Sequence, residues 1–246
     1  MLTYLRSLVF YAGYFLATVI TSILCMIIFW FIPLKKRFIV YSLWCRFVLF
    51  WLRLVCGVRY QLEGLENIPR HPVVVLSTHQ SAWETIYLYY AVSPVCPILK
   101  KELLNIPFWG WAMRLQKPIA IDRSKPREAG RSLLTQGKQR LQEGLSVVIF
   151  PEGTRSAPGE LKPFSRGGAK LAVTANTQVL PVIHNAGDCW PAHSLLKHPG
   201  TIHVRFGKLI DVEGKDSTAV TDAFSKWVGE NMDVITDDVH KSSQTS

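Results

Sequence analysis

The longest hydrophobic run in the sequence lies close to its N-terminus. The run from Ser7 to Leu34 contains no charged residue, has Pro33 near its end and directly precedes the basic cluster Lys35-Lys36-Arg37. As an α-helix, its 28 residues extend about 42 Å, more than the hydrocarbon thickness of a bilayer, which is about 30 Å. The pattern predicts a membrane-inserting helix rather than a cleaved signal peptide, because a signal peptide has a shorter apolar region and a small-residue cleavage site.

A second apolar segment, Phe38 to Val58, is interrupted by Arg46 and Arg53. These arginines are seven residues apart and therefore share one helical face. This pattern is typical of a basic amphipathic helix at a membrane interface. Two arrangements agree with the sequence: the first helix crosses the bilayer with its basic flank in the cytoplasm, or both helices enter and leave one leaflet. A hairpin buried inside a soluble protein is a third interpretation.

The rest of the chain alternates short β-branched runs with helical patterns. The predicted strands are Val58–Leu62, Val73–Ser77, Val95–Leu99, Ile119–Ile121, Val147–Phe150, Val179–Ile183 and Ile202–Phe206. The predicted helices are Ala82–Ala91, Phe108–Leu115, Pro126–Glu143, Arg166–Asn176 and Ser217–Met232. This alternation predicts an α/β fold, a single mixed, largely parallel sheet flanked by helices, with an N-terminal hydrophobic helical membrane-binding segment.

Charge and composition change this picture mainly at the N-terminus. The formal net charge is +10, and residues 1–59 carry +7 of it because they contain no acidic residue. A basic excess on the most apolar part of the chain favours a surface of anionic phospholipids. Nucleic acid is not expected as a partner, because the sequence has no recognition motif for it. We divide the chain into membrane-associated helices (1–57), an α/β domain (58–240) and a flexible polar tail (241–246).

A histidine and an acid follow one of the predicted strands. His79 stands at the carboxyl end of Val73–Ser77, where ligand sites of such sheets gather, and Glu84 comes five residues later. An imidazole can accept a proton near neutral pH, and a carboxylate can orient the ring and stabilise the imidazolium. Positions i and i+5 are about 140° apart on a regular helix, so the pair meets only if His79 precedes the helix. The alternative is a helix-start histidine beside an ordinary first-turn acid.

Three further strand ends carry cations. The strand Val147–Phe150 ends at Pro151-Glu152-Gly153-Thr154-Arg155, in which glycine lets the backbone approach a ligand and arginine offers a fork of donors to a phosphate. Asp122-Arg123 and Lys100-Lys101 follow two other strands. Together these ends indicate an anionic substrate, and scattered solvated charge is the alternative.

The combination of these segments resembles the lysophospholipid acyltransferase family, closest to the bacterial 1-acylglycerol-3-phosphate acyltransferases. The resemblance covers about Leu62 to Leu209 and the hydrophobic N-terminus. The His-x4-Asp block of the family matches His79–Glu84, with a glutamate whose extra methylene carries the carboxylate about 1.5 Å further than an aspartate. The other blocks match Ile119–Arg123, Phe150–Arg155 and Val179–Ile183.

The resemblance implies transfer of a fatty acyl group from acyl-CoA or acyl-carrier protein to the sn-2 hydroxyl of lysophosphatidic acid, which gives phosphatidic acid. It implies that His79 is the general base and that Glu84 orients it. The residues expected to bind the acceptor's glycerol phosphate are Glu152, Gly153, Thr154 and Arg155, with Lys101 and Arg123. No metal and no cofactor is implied. The implied location is a bacterial inner membrane, among membrane phospholipids, with the catalytic domain on the cytoplasmic face.

Other functions remain open at this point. The acceptor is alternatively another lysophospholipid, a lyso-aminolipid or glycerol 3-phosphate. A hydrolase would use Ser77 or Ser81 near His79, although the sequence lacks the G-x-S-x-G motif. A metalloenzyme is disfavoured because the sequence has no HExxH motif. A non-catalytic membrane lipid-binding protein would tolerate the loss of His79.

Overall fold

The computed structural model describes residues 1–122 and 124–243, and it describes side chains as far as residue 232. Two long helices, Leu2–Ile28 (α1) and Leu34–Cys56 (α2), form a hairpin that precedes an α/β domain. The strands of the described residues are Val58–Glu63 (β1), Val74–Ser77 (β2), Val95–Cys96 (β3), Ile98–Lys100 (β4), Ile119–Ile121 (β5), Ser146–Ile149 (β6), Val179–His184 (β7) and Gly200–Phe206 (β8).

The main sheet has six strands in the order β1-β8-β7-β2-β6-β3. Its pairs are parallel except for the antiparallel pair β7–β8, which confirms the predicted mixed, largely parallel sheet. The predicted strand Val95–Leu99 is divided into β3 and β4, because Pro97 has no N–H to donate to a neighbouring strand. Its carbonyl accepts the Ile119 N–H at 2.9 Å, and β4 and β5 form a separate parallel pair.

Helices follow the strands at the predicted places. They are Trp83–Ala91 (α3), Trp109–Arg114 (α4), Pro126–Gln142 (α5), Gly167–Ala175 (α6), Ala186–Cys189 (α7) and Ser217–Ser243 (α8), with 3-10 helices at Leu65–Asn67 and Lys101–Asn105. Helix α8 continues beyond its predicted end at Met232 into the first residues of the predicted tail, and residues 244–246 lie outside the described residues. The 3-10 helices and α7 were not predicted, since they are too short to show a helical period.

The central strands are buried on both faces. Val73 and Val75 pack against α2 and α3, whereas Val74 and Leu76 pack against α6 and α8. Because successive side chains of a strand point to opposite faces, an uninterrupted apolar run serves two helical layers. The carboxyl ends of β2 and β6 therefore meet at one edge of a rigid three-layer core.

The hairpin packs against the same core. Trp44 and Leu52 of α2 belong to the cluster on the α2/α3 face of the sheet. The indole N–H of Trp51 donates to the Phe10 carbonyl at 3.2 Å, which ties α2 to α1. Gly13 makes this approach possible, because a Cβ there would lie 2.3 Å from the Trp51 Nε1 atom.

The outer surface of the hairpin is apolar. Both helices are long and apolar enough to cross a membrane, judged by length and hydropathy. The exposed apolar side chains of α1 include Leu5, Leu8, Phe15, Leu16, Ile20, Ile23, Leu24 and Ile27. A continuous exposed face of this kind fits a membrane-binding segment and does not fit a hairpin buried in a soluble protein.

A buried lysine fastens the hairpin to the α/β domain. The Lys197 N–H donates to Ser7 Oγ of α1 at 2.9 Å. Its ammonium group donates to three backbone carbonyls of the segment 194–196 and lies 5.0 Å from the ring centroid of Tyr11. The loop after α7 is thereby held against α1, so the hairpin and the strand ends have a fixed relation.

Candidate active site

His79 and Glu84 form a close pair at the carboxyl end of β2. The Nδ1 atom of His79 lies 2.8 Å from the Oε1 atom of Glu84. The carboxylate is buried, with 1% of its side chain exposed, and the imidazole is 14% exposed. Because Nδ1 faces the carboxylate, Nε2 is the ring nitrogen that can exchange a proton with a ligand.

The turn before α3 explains how residues five apart can meet. Glu84 Oε1 also accepts the N–H groups of Gln80 at 3.1 Å and Ser81 at 2.9 Å, while Ser81 Oγ accepts the Trp83 N–H at 3.0 Å. This reciprocal pattern is similar to a capping box, in which an acid of the first turn reaches back to the helix start. His79 therefore lies before the helix, and the spacing Ser81-x-x-Glu84 is a sequence signal for this geometry.

The segment after β6 holds His79 from the other side. The Phe150 ring stacks on the imidazole, with 4.1 Å between centroids and 17° between planes. The His79 N–H donates to Glu152 Oε1 at 2.8 Å, and the Ser156 N–H donates to the His79 carbonyl at 2.8 Å. The Ser156 hydroxyl donates to the other oxygen of Glu152. The imidazole is thus fixed in position and in orientation.

A second histidine lies behind the pair. His184, at the end of β7, is fully buried; its Nδ1 accepts the Ala186 N–H at 3.2 Å and its Nε2 donates to the Thr78 carbonyl at 2.9 Å. Burial lowers the pKa of His184, which agrees with this neutral form. No local pattern pointed to His184, because its relation to the His79 turn arises only from the pairing of β7 with β2.

The surroundings of Glu84 keep its carboxylate ionised. Burial alone would raise the pKa of Glu84, but the hydrogen bond and the charge of His79, with the Ser81 N–H, oppose burial, and this pKa lies below its ordinary value. An ionised carboxylate against Nδ1 stabilises a positive imidazole. The pair can therefore accept a proton at Nε2 without leaving a buried charge unpaired.

The imidazole opens into a cleft of about 440 Å³ between the hairpin and the α/β domain. His79, Thr154 and Arg155 form part of its polar lining, with Lys100. The apolar lining comes from α1, α2, α3, α4 and the 3-10 helix before α4, and it includes Tyr14, Tyr41, Trp44, Ile86, Leu103, Trp109 and Met113. A cleft with cations at one end and aromatic walls suits an anionic amphiphile.

Four predicted ligands come from the segment after β6, and the structure separates them into two pairs. Thr154 and Arg155 line the cleft, whereas Glu152 and Gly153 do not. Both carboxylate oxygens of Glu152 bind within the protein, so the prediction that it contacts the substrate does not fit this geometry. Gly153 adopts φ 71°, a left-handed conformation that favours glycine, and this turn directs the chain towards Arg155.

Of the two remaining predicted ligands, Lys101 does not join the site. Lys101 lines a different cavity with Arg114 and Asp122, while Lys100 lines the His79 cleft. The cause is local: Lys100 ends β4 and Lys101 begins a 3-10 helix. Arg123 lies outside the described residues. His193, which was not predicted, lines the cleft from the loop after α7.

The serines near His79 are engaged with the backbone. Ser77 Oγ donates to the Thr78 carbonyl at 3.0 Å, and Ser81 Oγ accepts the Trp83 N–H. The structure gives neither hydroxyl a hydrogen bond to the imidazole, which disfavours the serine hydrolase alternative. Among the residues whose placement is described, no three His, Cys, Asp or Glu side chains form a group suited to a metal ion.

We expect Glu152→Gln to alter the pH dependence of stability. Burial raises the pKa of Glu152 to about 7, and the Glu84 charge adds to this, while the His79 N–H and Lys162 oppose it. The folded chain therefore binds more protons than the unfolded chain between pH about 4.3 and about 7, and the free energy of unfolding falls as pH rises through this window. The glutamine oxygen can still accept the His79 N–H, its NH2 group can donate to the Ser156 hydroxyl, and the loss of stability with pH is removed.

Thermal melting in detergent across this pH range measures the effect. The melting temperature of Glu152→Gln relative to the wild type should rise steadily with pH. Glu160→Gln, at an exposed glutamate of the same loop, is the matched control and should show no such trend. A melting-temperature difference between Glu152→Gln and the wild type that stays constant with pH would contradict the raised pKa of Glu152.

Comparisons with known proteins agree with the fold and with the motifs. A family model described as Acyltransferase matches residues 59–185. The chain is 48% identical over 201 residues to a 1-acyl-sn-glycerol-3-phosphate acyltransferase of Pseudomonas aeruginosa, covering 80% of this chain and 78% of that protein. It is 32% identical over 189 residues to the enzyme of the same name from Saccharomyces cerevisiae, covering 74% of this chain and 60% of the yeast protein.

A solved structure has the same fold. The crystal structure of the 1-acyl-sn-glycerophosphate acyltransferase from Thermotoga maritima superimposes with a TM-score of 0.81 and 22% sequence identity. The superposition covers 95% of this chain and 96% of the other, so it includes the N-terminal hairpin as well as the α/β domain.

Proposed function

The chain belongs to the acyltransferase family, and on this premise we propose that it is a 1-acyl-sn-glycerol-3-phosphate acyltransferase. It transfers a fatty acyl group to the sn-2 hydroxyl of lysophosphatidic acid and forms phosphatidic acid. The donor is a thioester, either acyl-CoA or acyl-carrier protein. The observation that carries the proposal is the His79–Glu84 pair facing a cleft that also contains Arg155.

The reaction uses His79 as a general base. As the acceptor oxygen attacks the thioester carbonyl carbon, its proton passes to His79 Nε2, and Glu84 offsets the charge of the imidazolium. The C–S bond then breaks, and the thiolate takes the proton back from Nε2. A positioned base contributes about 10²–10⁴-fold to the rate. Alignment of the two bound amphiphiles increases the rate further, because binding has already removed the translational freedom that the reaction would otherwise have to remove.

The contacts of the segment after β6 support two different roles within it. Arg155 and Thr154 bind the acceptor phosphate, with Lys100 as a further cation in place of Lys101. Glu152 acts as a positioning residue, because its carboxylate holds the backbone of His79 rather than facing the cleft. Arginine suits this phosphate because its planar group donates two parallel hydrogen bonds.

The hairpin holds the cleft at a membrane surface. Both helices enter one leaflet and return, an arrangement supported by the packing of α2 along the domain and by the apolar outer face of α1. The chain acts at the cytoplasmic face of a bacterial inner membrane, where soluble thioester donors are available and the anionic lipid surface attracts the basic hairpin. The acyl chains of acceptor and product then stay in the leaflet and avoid about 0.8 kcal/mol per methylene exposed to water.

A panel of acceptors tests the proposal. The purified full chain in phospholipid vesicles is supplied with labelled acyl-CoA or acyl-carrier protein and with lysophosphatidic acid, other lysophospholipids, a lyso-aminolipid or glycerol 3-phosphate. Labelled phosphatidic acid should be the main product. Faster turnover of another acceptor would show that lysophosphatidic acid is not the preferred substrate. The absence of transfer to every acceptor would favour a non-catalytic lipid-binding protein.

We expect Arg155→Ala to weaken acceptor binding more than donor binding. Loss of charge-assisted hydrogen bonds to the phosphate should raise the KM for lysophosphatidic acid by about 10–10²-fold, with a much smaller change for the thioester. Arg127→Ala, at an exposed arginine of α5, is the control and should leave both constants unchanged. Equal effects of Arg155→Ala on both substrates would contradict phosphate binding at this residue.

A further inference from the structure

A group of exposed apolar side chains lies on the α/β domain rather than on the hairpin. Leu103, Ile106, Phe108 and Trp111, here called the aromatic shoulder, are each between 37% and 47% exposed within nine residues. The other exposed large apolar residues of the described α/β domain are scattered along the chain, as single exposed residues usually are. A contiguous patch is the kind of surface that contacts a partner or a membrane.

The backbone of the shoulder is strained in a way that exposes an aromatic ring. Phe108 has φ 60° and ψ −66°, and the Trp109 N–H donates to the Pro107 carbonyl at 2.7 Å. This is the rare γ-turn with positive φ, a strained conformation for a residue other than glycine. Its consequence is that the Phe108 ring stands outside the core, 5.7 Å from the ring of Trp111.

The shoulder is fixed to the membrane-binding hairpin. Arg37, in the first turn of α2, donates to the Leu115 carbonyl at 2.6 Å. Ala112 of α4 packs with Cys25 and Phe29 near the end of α1. The shoulder is therefore held against the hairpin that carries the exposed apolar face of α1.

A groove of about 510 Å³ separates the shoulder from α1. Its rim includes Phe15 on the α1 side and Phe108 on the shoulder side. The groove shares Tyr14, Leu103 and Trp109 with the His79 cleft, so the two spaces adjoin at these side chains. The groove thus lies between the exposed face of α1 and the cleft that contains the reacting groups.

The charges beside the shoulder fit an anionic lipid surface. Between residues 100 and 117 the chain has four cations, Lys100, Lys101, Arg114 and Lys117, against one acid, Glu102. Aromatic residues together with flanking cations are characteristic of the layer between headgroups and acyl chains.

We propose that the aromatic shoulder is a membrane-contacting element of the catalytic domain, and that the groove between it and α1 is the lateral doorway through which the acceptor's acyl chain passes between the leaflet and the His79 cleft. The inference rests on the proposed function, because it concerns the lipid acceptor of that reaction. The shoulder supplies one wall of the doorway and α1 the other, so the acceptor reaches the base without leaving the apolar phase.

Fluorescence quenching tests the membrane contact independently of activity. All five native cysteines are buried, so Trp111→Cys and Leu65→Cys can each carry one environment-sensitive dye on the full chain. In vesicles of phosphatidylcholine and phosphatidylglycerol containing a spin-labelled acyl chain, the dye at position 111 should lose about half of its emission or more. The dye at position 65, where the native side chain is equally exposed, should be unaffected. An unquenched dye at position 111 would overturn the contact.

Kinetics with two acceptors test the doorway. The double variant Phe108→Gly/Trp111→Ser keeps the positive-φ turn and removes both rings. It should raise the apparent KM for long-chain lysophosphatidic acid in vesicles by about tenfold, because that lipid must cross the shoulder from the leaflet. It should leave kcat/KM for a short-chain monomeric analogue unchanged, as should the control Leu65→Ser for both acceptors.

The outcomes separate this inference from the proposed function. Unchanged kinetics with the vesicle-borne acceptor would overturn the doorway while the proposed function stands. A raised KM for acyl-carrier protein alone, without quenching at position 111, would identify the shoulder as a carrier-protein site and overturn the inference. If the wild-type chain acylates neither acceptor, the proposed function and the doorway fail together, and quenching still decides the membrane contact.

Discussion

Replacing His79 by alanine is expected to reduce kcat for acyl transfer by about 10²–10⁴-fold. The imidazole of His79 lines the cleft, and its Nδ1 atom is paired with Glu84, which leaves Nε2 to accept the proton. Alanine removes the base and leaves the phosphate-binding residues and the hairpin in place. The KM for either substrate should therefore change little, and co-sedimentation with vesicles should be the same as for the wild type.

A control variant distinguishes loss of the base from loss of any histidine. His71 is exposed, and its Nε2 atom lies 3.3 Å from the side-chain oxygen of Gln178, away from the cleft lining. His71→Ala should keep full activity. Turnover of His79→Ala near the wild-type rate would contradict the base assignment and would favour a mechanism in which the bound substrates alone supply the proton transfer.

The fold is largely predictable from hydrophobic periodicity because its core strands are buried on both faces. Uninterrupted runs such as 147–150 and 179–183 mark central parallel strands, and the observed strands β6 and β7 differ from them by one residue at each altered end. The separate β4–β5 pair is different. It depends on the missing N–H of Pro97 and on a partner strand more than twenty residues away, which a local pattern does not contain.

The candidate site was predictable where its contacts are local and not where they are tertiary. The His79–Glu84 pair lies within six residues, and the capping pattern of Ser81 and Glu84 brings it together. The place of His184 behind this turn depends on the register between β2 and β7. Whether Lys100 or Lys101 lines the cleft depends on the residue at which β4 ends. Hydrophobic periodicity locates the end of a strand only to within a residue or two.

The role of Glu152 shows how a motif residue can support chemistry without touching substrate. In sequence it stands beside Arg155, which suggests one shared ligand. In the structure its carboxylate binds the His79 backbone, and Ser156 completes the clamp from the opposite side. In the segment after β6, Glu152 and Ser156 therefore hold the base, whereas Thr154 and Arg155 line the cleft. The turn at Gly153 separates the two functions.

Changing Glu84 should lower kcat in two graded steps. Glu84→Gln keeps an oxygen for the N–H groups of Gln80 and Ser81 but removes the charge that stabilises the imidazolium. In a comparable histidine–carboxylate pair the neutral amide lowers kcat by about 10⁴-fold, and we expect about 10³–10⁴-fold here. Glu84→Asp keeps the charge but withdraws it by about 1.5 Å, and such a displacement costs up to about 10²-fold.

Steady-state kinetics and thermal melting together isolate this effect from folding. Ser81→Ala removes the hydroxyl that accepts the Trp83 N–H and leaves the carboxylate, so it should cost about 1 kcal/mol of stability and leave kcat unchanged. The glutamine variant should show the opposite balance, with a large loss of kcat at a similar melting temperature. Activity of Glu84→Gln equal to that of Glu84→Asp would mean that the carboxylate only fixes the turn. Full activity of Glu84→Asp would mean that the backbone before α3 moves to meet the shorter side chain, so that the reach of the glutamate is not what sets the geometry of the pair.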